Sequence, residues 1–455
     1  MPSPAINWAI TRRAAIGTLA AGGAAFALFG PRGTSAVPRG RVVLDYWEKW
    51  TRHEGDAMVK VVNAFNDSQD RIFVRYLVTG DIGQKSLVAI AGGDPPDLIG
   101  LYAFNVPSYA ETGAIIPFDE LAPRYGMSLD RYAAGVRQVM THRGKWWASV
   151  NTAGSVALYY NKTLFRQVGL DPDNPPRTIA QFDACHRKLN DADPGADGAL
   201  KRVGFLHREP GWWSWFWGYP FGGRIYDESA NRATLDAPPN IRAYEWMETY
   251  ARDLGVDRVK RFAESFGNYF TPENPFLTGK VAMIVQGPWI ANLVDAYKPD
   301  LDYGVAPFPV IEDLVNPAAP IGLIDTDVLV IPRGARHPEA AMEFIAFTQR
   351  QDMTEALATA HCKPSPLAVA SQEFLDKHPN RGIRIHYDIL KSPRAFVPPR
   401  TRVWQQFKDE MDTAVQRMWR LEVPADKCLG QLQPRIQGLI DSAAEQARRR
   451  YGGAA

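Results

Sequence analysis

Residues 42–101 read VVLDYWEKWTRHEGDAMVKVVNAFNDSQDRIFVRYLVTGDIGQKSLVAIAGGDPPDLIGL, and this stretch decides the fold class. Val42 to Trp47 is apolar and β-branched at its start, as a strand requires. Met58, Val61, Val62 and Phe65 then recur at i, i+3, i+4, i+7, one face of a helix. A second strand is expected at Ile72–Val78, a helix from about Gln84 to Gly92-Gly93, and a third strand at Asp97–Leu101. Strands alternating with helices imply βαβ units and a largely parallel sheet. Ligands of such sheets sit beyond the carboxyl ends of the strands, so the loops after Tyr46, Val78 and Leu101 are the places to search.

The alternation extends through the chain. Thr178-Ile179-Ala180-Gln181 has the form of a capping box, with Phe182, Cys185 and Leu189 as the apolar stripe behind it. Cys185 therefore reads as core. Val328–Ile331 is expected as a strand, Pro338 as a helix start, and Trp404, Phe407, Met411, Val415 and Met418 as one buried helix face. The 455 residues suit two to three domain-sized units.

Residues 1–36 read as an address. Arg12-Arg13 precedes an apolar run from Ala14 to Phe29, followed by Thr34-Ser35-Ala36, the order of an export signal. The paired arginines favour the twin-arginine route to the periplasm. No cysteine follows the run, so no lipid-anchor site is expected. The whole chain has 52 Lys and Arg against 50 Asp and Glu, and Arg12, Arg13 and Arg32 are the only charges before residue 37. The remainder thus carries 49 basic and 50 acidic groups, with no basic field for nucleic acid. Cys185, Cys362 and Cys428 lie far apart, against a zinc module or disulfide scaffold.

Phosphate-loop, zinc-protease and hydrolase-elbow patterns are missing, and no catalytic residue, metal site or cofactor is expected. Tryptophan placement stands out instead. Four of the 13 lie at Trp212, Trp213, Trp215 and Trp217, and others at Trp47, Trp50, Trp146, Trp147 and Trp289. Adjacent tryptophans cannot all enter one core. Flat aromatic faces suit the C–H faces of sugar rings, with carboxylates, amides and arginines taking the hydroxyls; packing at a domain interface is the other explanation.

Five motifs in order carry a resemblance: Ala91-Gly92-Gly93-Asp94-Pro95-Pro96-Asp97, Tyr109-Ala110-Glu111-Thr112-Gly113, Leu158-Tyr159-Tyr160-Asn161-Lys162, Phe276–Met283 with Gly287-Pro288-Trp289, and Ala340-Ala341-Met342-Glu343-Phe344. The chain resembles the family-1 extracellular solute-binding proteins of ABC sugar importers, relatives of maltodextrin-binding protein. The resemblance implies an α/β, two-lobed periplasmic-binding-protein fold of type II, with hinge-linked lobes and the ligand cleft between them. Residues 37–152 plus 325–362 would form lobe 1, and 153–324 plus 363–455 lobe 2. It implies a non-enzymatic monomer that closes on a mono- or oligosaccharide and delivers it to ABC permease subunits.

Carried over by position, the resemblance nominates Trp50 and Glu54 after the first strand, Asp81 after the second and Tyr102 after the third. Thr152 and Asp327 lie at the crossings, Trp212, Trp213 and Trp289 on the second lobe, and Arg394 near Pro393, with Arg400 as a second candidate. Glu54 is equally explained by the helix N-terminus it would favour. Tyr159-Tyr160 matches the paired tyrosines of iron-binding relatives but falls in a strand that sugar binders share. Asp97 is expected to tie down a strand entry. Thr326-Asp327 replaces a Gly-Trp of some relatives, leaving the identity of the sugar open. Two other readings stay open: an exported carbohydrate-active enzyme using Glu54 with Asp81 or Asp327, and the same fold binding a polyamine.

Overall fold

A computed structural model describes residues 38–193 and 198–451; the export signal read at 1–36 lies outside the described residues. From Val42 onward the chain forms one compact unit built on two five-stranded sheets. Ten strands make them: β1 Val42–Glu48, β2 Ile72–Val78, β3 Leu98–Tyr102, β4 Ser149–Thr152 and β5 Ala157–Asn161, then β6 Asp191–Ala192, β7 Leu200–Phe205, β8 Val281–Gln286, β9 Tyr303–Ala306 and β10 Asp327–Val330. The first sheet has the order β2-β1-β3-β10-β4 and the second β9-β5-β8-β7-β6.

The opening stretch folds as its pattern dictates. β1 pairs in parallel with β2 over seven residues and with β3 at Tyr46 and Trp47. Between them the helix Arg52–Ser68 buries Met58, Val61, Val62 and Phe65, each such side chain contributing about 1.5–3 kcal/mol of transfer free energy. The expectation of a largely parallel sheet needs correcting. β10 runs antiparallel to both β3 and β4, and in the second sheet only β7 and β8 are parallel. The reason is topological: β10 returns from the other lobe and enters the first sheet from the end where β3 leaves it. Local βαβ alternation does not reach that pairing.

Each sheet has its own core. Leu44, Tyr46, Ile99, Val328 and Phe344 belong to the first; Tyr159, Phe182, Phe205, Met283 and Trp404 belong to the second. Farther along, Leu367, Leu390 and Ala395 pack into the first core, while Ile389 and Val403 pack into the second. The capping box at Thr178 and Gln181 forms, and Cys185 is buried on that helix. All three cysteines are buried and free. The helix Trp404–Trp419 buries the five residues read from its spacing. Asp97 ties β1 to a distant turn, accepting from the backbone N–H groups of Asp45, Arg336 and His337 at 3.0 Å each.

Between the lobes, residues 153–156 run beside 323–325: Asp325 N–H donates to Gly154 (3.0 Å) and Val156 N–H to Leu323 (2.8 Å). A third segment joins where Ile324 N–H donates to Phe396 (2.8 Å). Gly154 has no room for a side chain, since a Cβ would lie 2.4 Å from the Asp325 carbonyl and 3.3 Å from the Trp289 ring.

Candidate ligand-binding cleft

β10 begins at Asp327, which stands opposite Tyr102 on one side and Thr152 on the other. This register gathers a ladder of charges on the first-lobe side. Lys49, just past β1, lies 3.1 Å from Glu48 Oε1 and 2.9 Å from Asp327 Oδ1. Lys363, just after the helix Gln351–Ala360, lies 3.2 Å from Asp327 Oδ2 and 3.2 Å from Glu54 Oε1. Its third direction reaches Thr152 Oγ1 at 3.2 Å, and that hydroxyl donates to Asp327 at 3.1 Å. Glu48 is fully buried and accepts from the Tyr46 hydroxyl at 2.6 Å. It fits because Gly100 faces it; a Cβ there would meet Glu48 Oε2 at 1.9 Å.

Burial alone would neutralise these groups, but their partners outweigh it. Burial is the largest influence on Lys49 and disfavours its charge, yet Asp327 and Glu48 raise its pKa. Asp327 is likewise desolvated, and Lys49 and Lys363 still hold it well below the usual carboxylate range. Glu54 is lowered against its burial, mainly by Lys363 and then His361. His361 goes the other way: burial, helped by Lys363, pushes it down to about 4, so it is neutral at pH 7. Its Nε2 lies 3.0 Å from the Glu54 carbonyl, which only accepts, so Nδ1 is left as an acceptor without a partner.

Asp325 differs from the rest of the ladder. Desolvation first, and the Asp327 charge second, push its carboxyl up to about 6. Its side-chain partner is a neutral one, the Trp213 indole N–H at 3.1 Å. That bond joins the ladder to an aromatic wall on the second lobe. Trp213 lies 5.6 Å from Trp212 and 6.1 Å from Trp289 between ring centroids, and Trp212 lies 4.6 Å from Tyr269. Trp213 is buried, while Trp212, Trp289 and Tyr269 are partly open. Glu209 stands just before this wall, and burial raises its carboxyl to about 7.

Comparison with known proteins fits this arrangement. The model of the bacterial extracellular solute-binding protein family matches residues 49–353. The chain belongs to that family. Among its relatives, the maltotriose-binding protein of Pyrococcus abyssi is 24% identical over 281 residues, 61% of this chain and 56% of that protein. The sn-glycerol-3-phosphate-binding periplasmic protein UgpB of Rhizobium meliloti is 23% identical over 286 residues, 59% and 62%. The chain thus matches between about half and two thirds of the length of these relatives. The solved structure of CpMnBP1 with mannotriose bound is 25% identical, with a TM-score of 0.72, covering 87% of this chain and 99% of that one. Solute-binding proteins of this family share the two-lobed fold described above.

Within the family's cleft, the residues nominated from sequence separate into two groups. Glu54, Thr152 and Asp327 join the ladder, and Trp212, Trp213 and Trp289 form the wall. Trp50 is 4% exposed, wedged edge-on against His361 at 4.6 Å, with the Lys49 and Lys363 ammoniums 5.2 and 5.4 Å from its ring. Tyr102 is exposed, stacked on Phe104, and lies under Lys49 at 4.6 Å. Among the described residues, no hydrogen bond or ion pair joins Asp81 or Arg394 to either group. Asp81 is exposed, with φ of 50°, at the start of the helix Ile82–Ala91. Arg394 donates to the Leu314 carbonyl at 2.7 Å. Arg400 binds Glu228 and the carbonyls of Gln138 and Thr141.

Trp215 and Trp217 are core, each 2% exposed. The Tyr159 hydroxyl pairs with His386 at 2.6 Å and that of Tyr160 donates to Pro172 at 2.9 Å, both away from the ladder. Sequence reasoning missed Glu48, Lys49, Lys363, His361, Asp325 and Tyr269. Glu48 was within reach of it: Leu44, Tyr46 and Glu48 share one strand face, and the first two are plainly core.

Proposed function

We propose that the chain is an extracytoplasmic receptor that captures an oligosaccharide between its lobes and presents it to an ABC import permease. The observation that carries this reading is the facing of the aromatic wall at Trp212, Trp213 and Trp289 against a ladder whose spare polar atoms are acceptors. Asp325 and Glu54 each have an oxygen without a partner among the described residues. A ligand must therefore bring donors and a flat apolar face, as a pyranose does. Trp50, Glu54, Tyr102, Thr152 and Asp327 line or support the floor in this reading. The lobes are residues 37–152 with 325–362 and 153–324 with 363–455, preceded by a twin-arginine export signal, and the mature protein works as a periplasmic monomer.

The UgpB relative raises a phosphate-bearing ligand as the alternative. An anion needs free cationic donors, and Lys49 and Lys363 are already held by Glu48, Asp327, Glu54 and Thr152. A hydrolase reading fares no better with the carboxylates named from sequence. Glu54 and Asp327 share one ammonium, which keeps both ionised and leaves no proton for a leaving group. The test is calorimetric titration of residues 37–455 with neutral oligosaccharides and sn-glycerol-3-phosphate. Saturable binding of a saccharide without product formation supports the receptor reading, and binding of the phosphate alone refutes it.

A further inference from the structure

Among the described residues, Asp325 is the one carboxylate of the ladder that no ammonium contacts. Glu48, Glu54 and Asp327 each contact a lysine, whereas Asp325 receives only the Trp213 indole N–H at 3.1 Å. The groups that face it are Asp327, Lys49 and Tyr102 from the first lobe, Lys363 from the segment after the helix Gln351–Ala360, and Trp213 from the second lobe. Both lysines are nearer to other carboxylates. Four carboxylates against two ammoniums and a neutral His361 leave the cluster two charges negative when all are ionised. An uncompensated carboxylate in a desolvated cleft is costly, and a cation supplied by the ligand removes that cost.

The surroundings fit a cation as well as a sugar face. The Trp289 ring and the Asp325 backbone both close on Gly154, so the carboxylate and the ring share one corner of the cleft. Trp212 and Tyr269 extend that aromatic corner, and Glu209 adds a second acid beside it. Aromatic faces attract ammonium groups through their quadrupole, as the Lys363 ammonium 5.8 Å from the Trp289 ring already illustrates, and an N–H cation also satisfies an open carboxylate oxygen.

We infer that the saccharide taken by this cleft carries a protonated amino group, an amino sugar, with Asp325 as its counter-ion and the Trp212–Trp213–Trp289 corner against its ring. The inference rests on the saccharide reading above and specifies its substrate class. It also gives the open acid a function: below the range where Asp325 ionises, the preference for an amine over a hydroxyl is lost.

The test is calorimetric titration of residues 37–455 with paired probes: glucosamine and glucose, galactosamine and galactose, mannosamine and mannose, and the glucosamine β-1,4-disaccharide against cellobiose. At pH 7 the amino member of one pair binds at least about tenfold tighter than its neutral partner, and the ratio falls toward one at pH 5. Repeating the titration near pH 6 in buffers of different ionisation enthalpy shows proton release by the protein on binding the amine and none with the neutral sugar. Asp325→Asn abolishes the ratio; the proton-release measurement on the unmodified protein serves if that variant does not fold. Equal affinity within every binding pair overturns the inference and leaves the saccharide receptor standing. Failure of every saccharide, with binding of glycerophosphocholine or a polyamine, overturns both.

Discussion

The two sides of the cleft solve the same problem with opposite chemistry. The floor is a ladder of ionised groups, Glu48, Lys49, Glu54 and Asp327 of the first lobe with Lys363 from the crossing segment that follows residue 362, in which each ammonium touches two carboxylates. The second-lobe wall is made of rings, and it meets the floor through the Trp213 indole N–H on Asp325 and the Lys363 ammonium 5.8 Å from the Trp289 ring. Charges packed in this way hold one geometry, because moving any member leaves a partner buried and unpaired. Rings in tilted and edge-on contact supply area and tolerate small shifts. The floor is thus built for fixed positions of acceptors, and the wall for contact with a face. A two-lobed receptor gains closure energy only from contacts made to both sides.

The difference between the sides can be broken from either one. Removing one rung of the ladder has the largest expected effect. Lys363→Met leaves Glu54 without its ammonium and Asp327 with Lys49 alone, and is expected to lower unfolding stability by about 3–5 kcal/mol, read from urea denaturation. Trp289→Ala acts on the wall and removes none of the ladder's ion pairs, only the ring near the Lys363 ammonium. It is expected to weaken saccharide binding by about 1–3 kcal/mol with a much smaller change in stability, read by titration calorimetry alongside melting.

The open acid sharpens the contrast further, because its pH dependence opposes that of its neighbours. Asp325 ionises at about 6 in the folded protein, above the ordinary carboxylate value near 4. The native state therefore holds this proton more tightly, and the contribution of Asp325 to stability falls as pH rises from about 4 to about 6. Asp325→Asn is expected to gain about 1–2 kcal/mol at pH 8 relative to the unmodified chain and nothing at pH 4. Asp327, held low by two lysines, behaves oppositely: its contribution is present at neutral pH and is lost only as pH falls below the ordinary carboxylate range. Melting temperatures of both Asn variants across pH 4 to 8 separate the two. The smallest effect is expected at Asp81→Asn, an exposed position outside both sides, with less than about 0.5 kcal/mol in affinity or stability.

The first three strands, their helices and the capping box at Thr178 were legible because each is a local pattern: period two, period 3.6, or a hydroxyl three residues before an amide. The antiparallel entry of β10 was not, because strand direction there depends on a connection returning from the other lobe. The same limit divides the cleft. Trp212, Trp213 and Trp289 announce themselves by crowding beside turns, but the expectation that adjacent tryptophans cannot share one core needs correcting: Trp213, Trp215 and Trp217 are all buried in the second core, and Trp212 and Trp289 pack against it. Lys49 and Lys363 read as ordinary surface lysines, and only the register that sets Asp327 between Tyr102 and Thr152 shows that both are buried. Asp81 follows a strand end as Glu54 does, yet its loop turns outward through a left-handed residue. Arg394 sits among prolines as a ligand-facing arginine would, and one of its guanidinium N–H groups donates to the Leu314 carbonyl.

The central claim is that a saccharide closes the aromatic wall onto the acceptor floor, and the tryptophans themselves report it. Intrinsic fluorescence of residues 37–455 should change saturably with a saccharide and not with sn-glycerol-3-phosphate. The change should shrink sharply in Trp289→Phe, which removes one of the indoles at the contact. A fluorescence change that saturates with the glycerol phosphate and is absent with every saccharide would contradict the account.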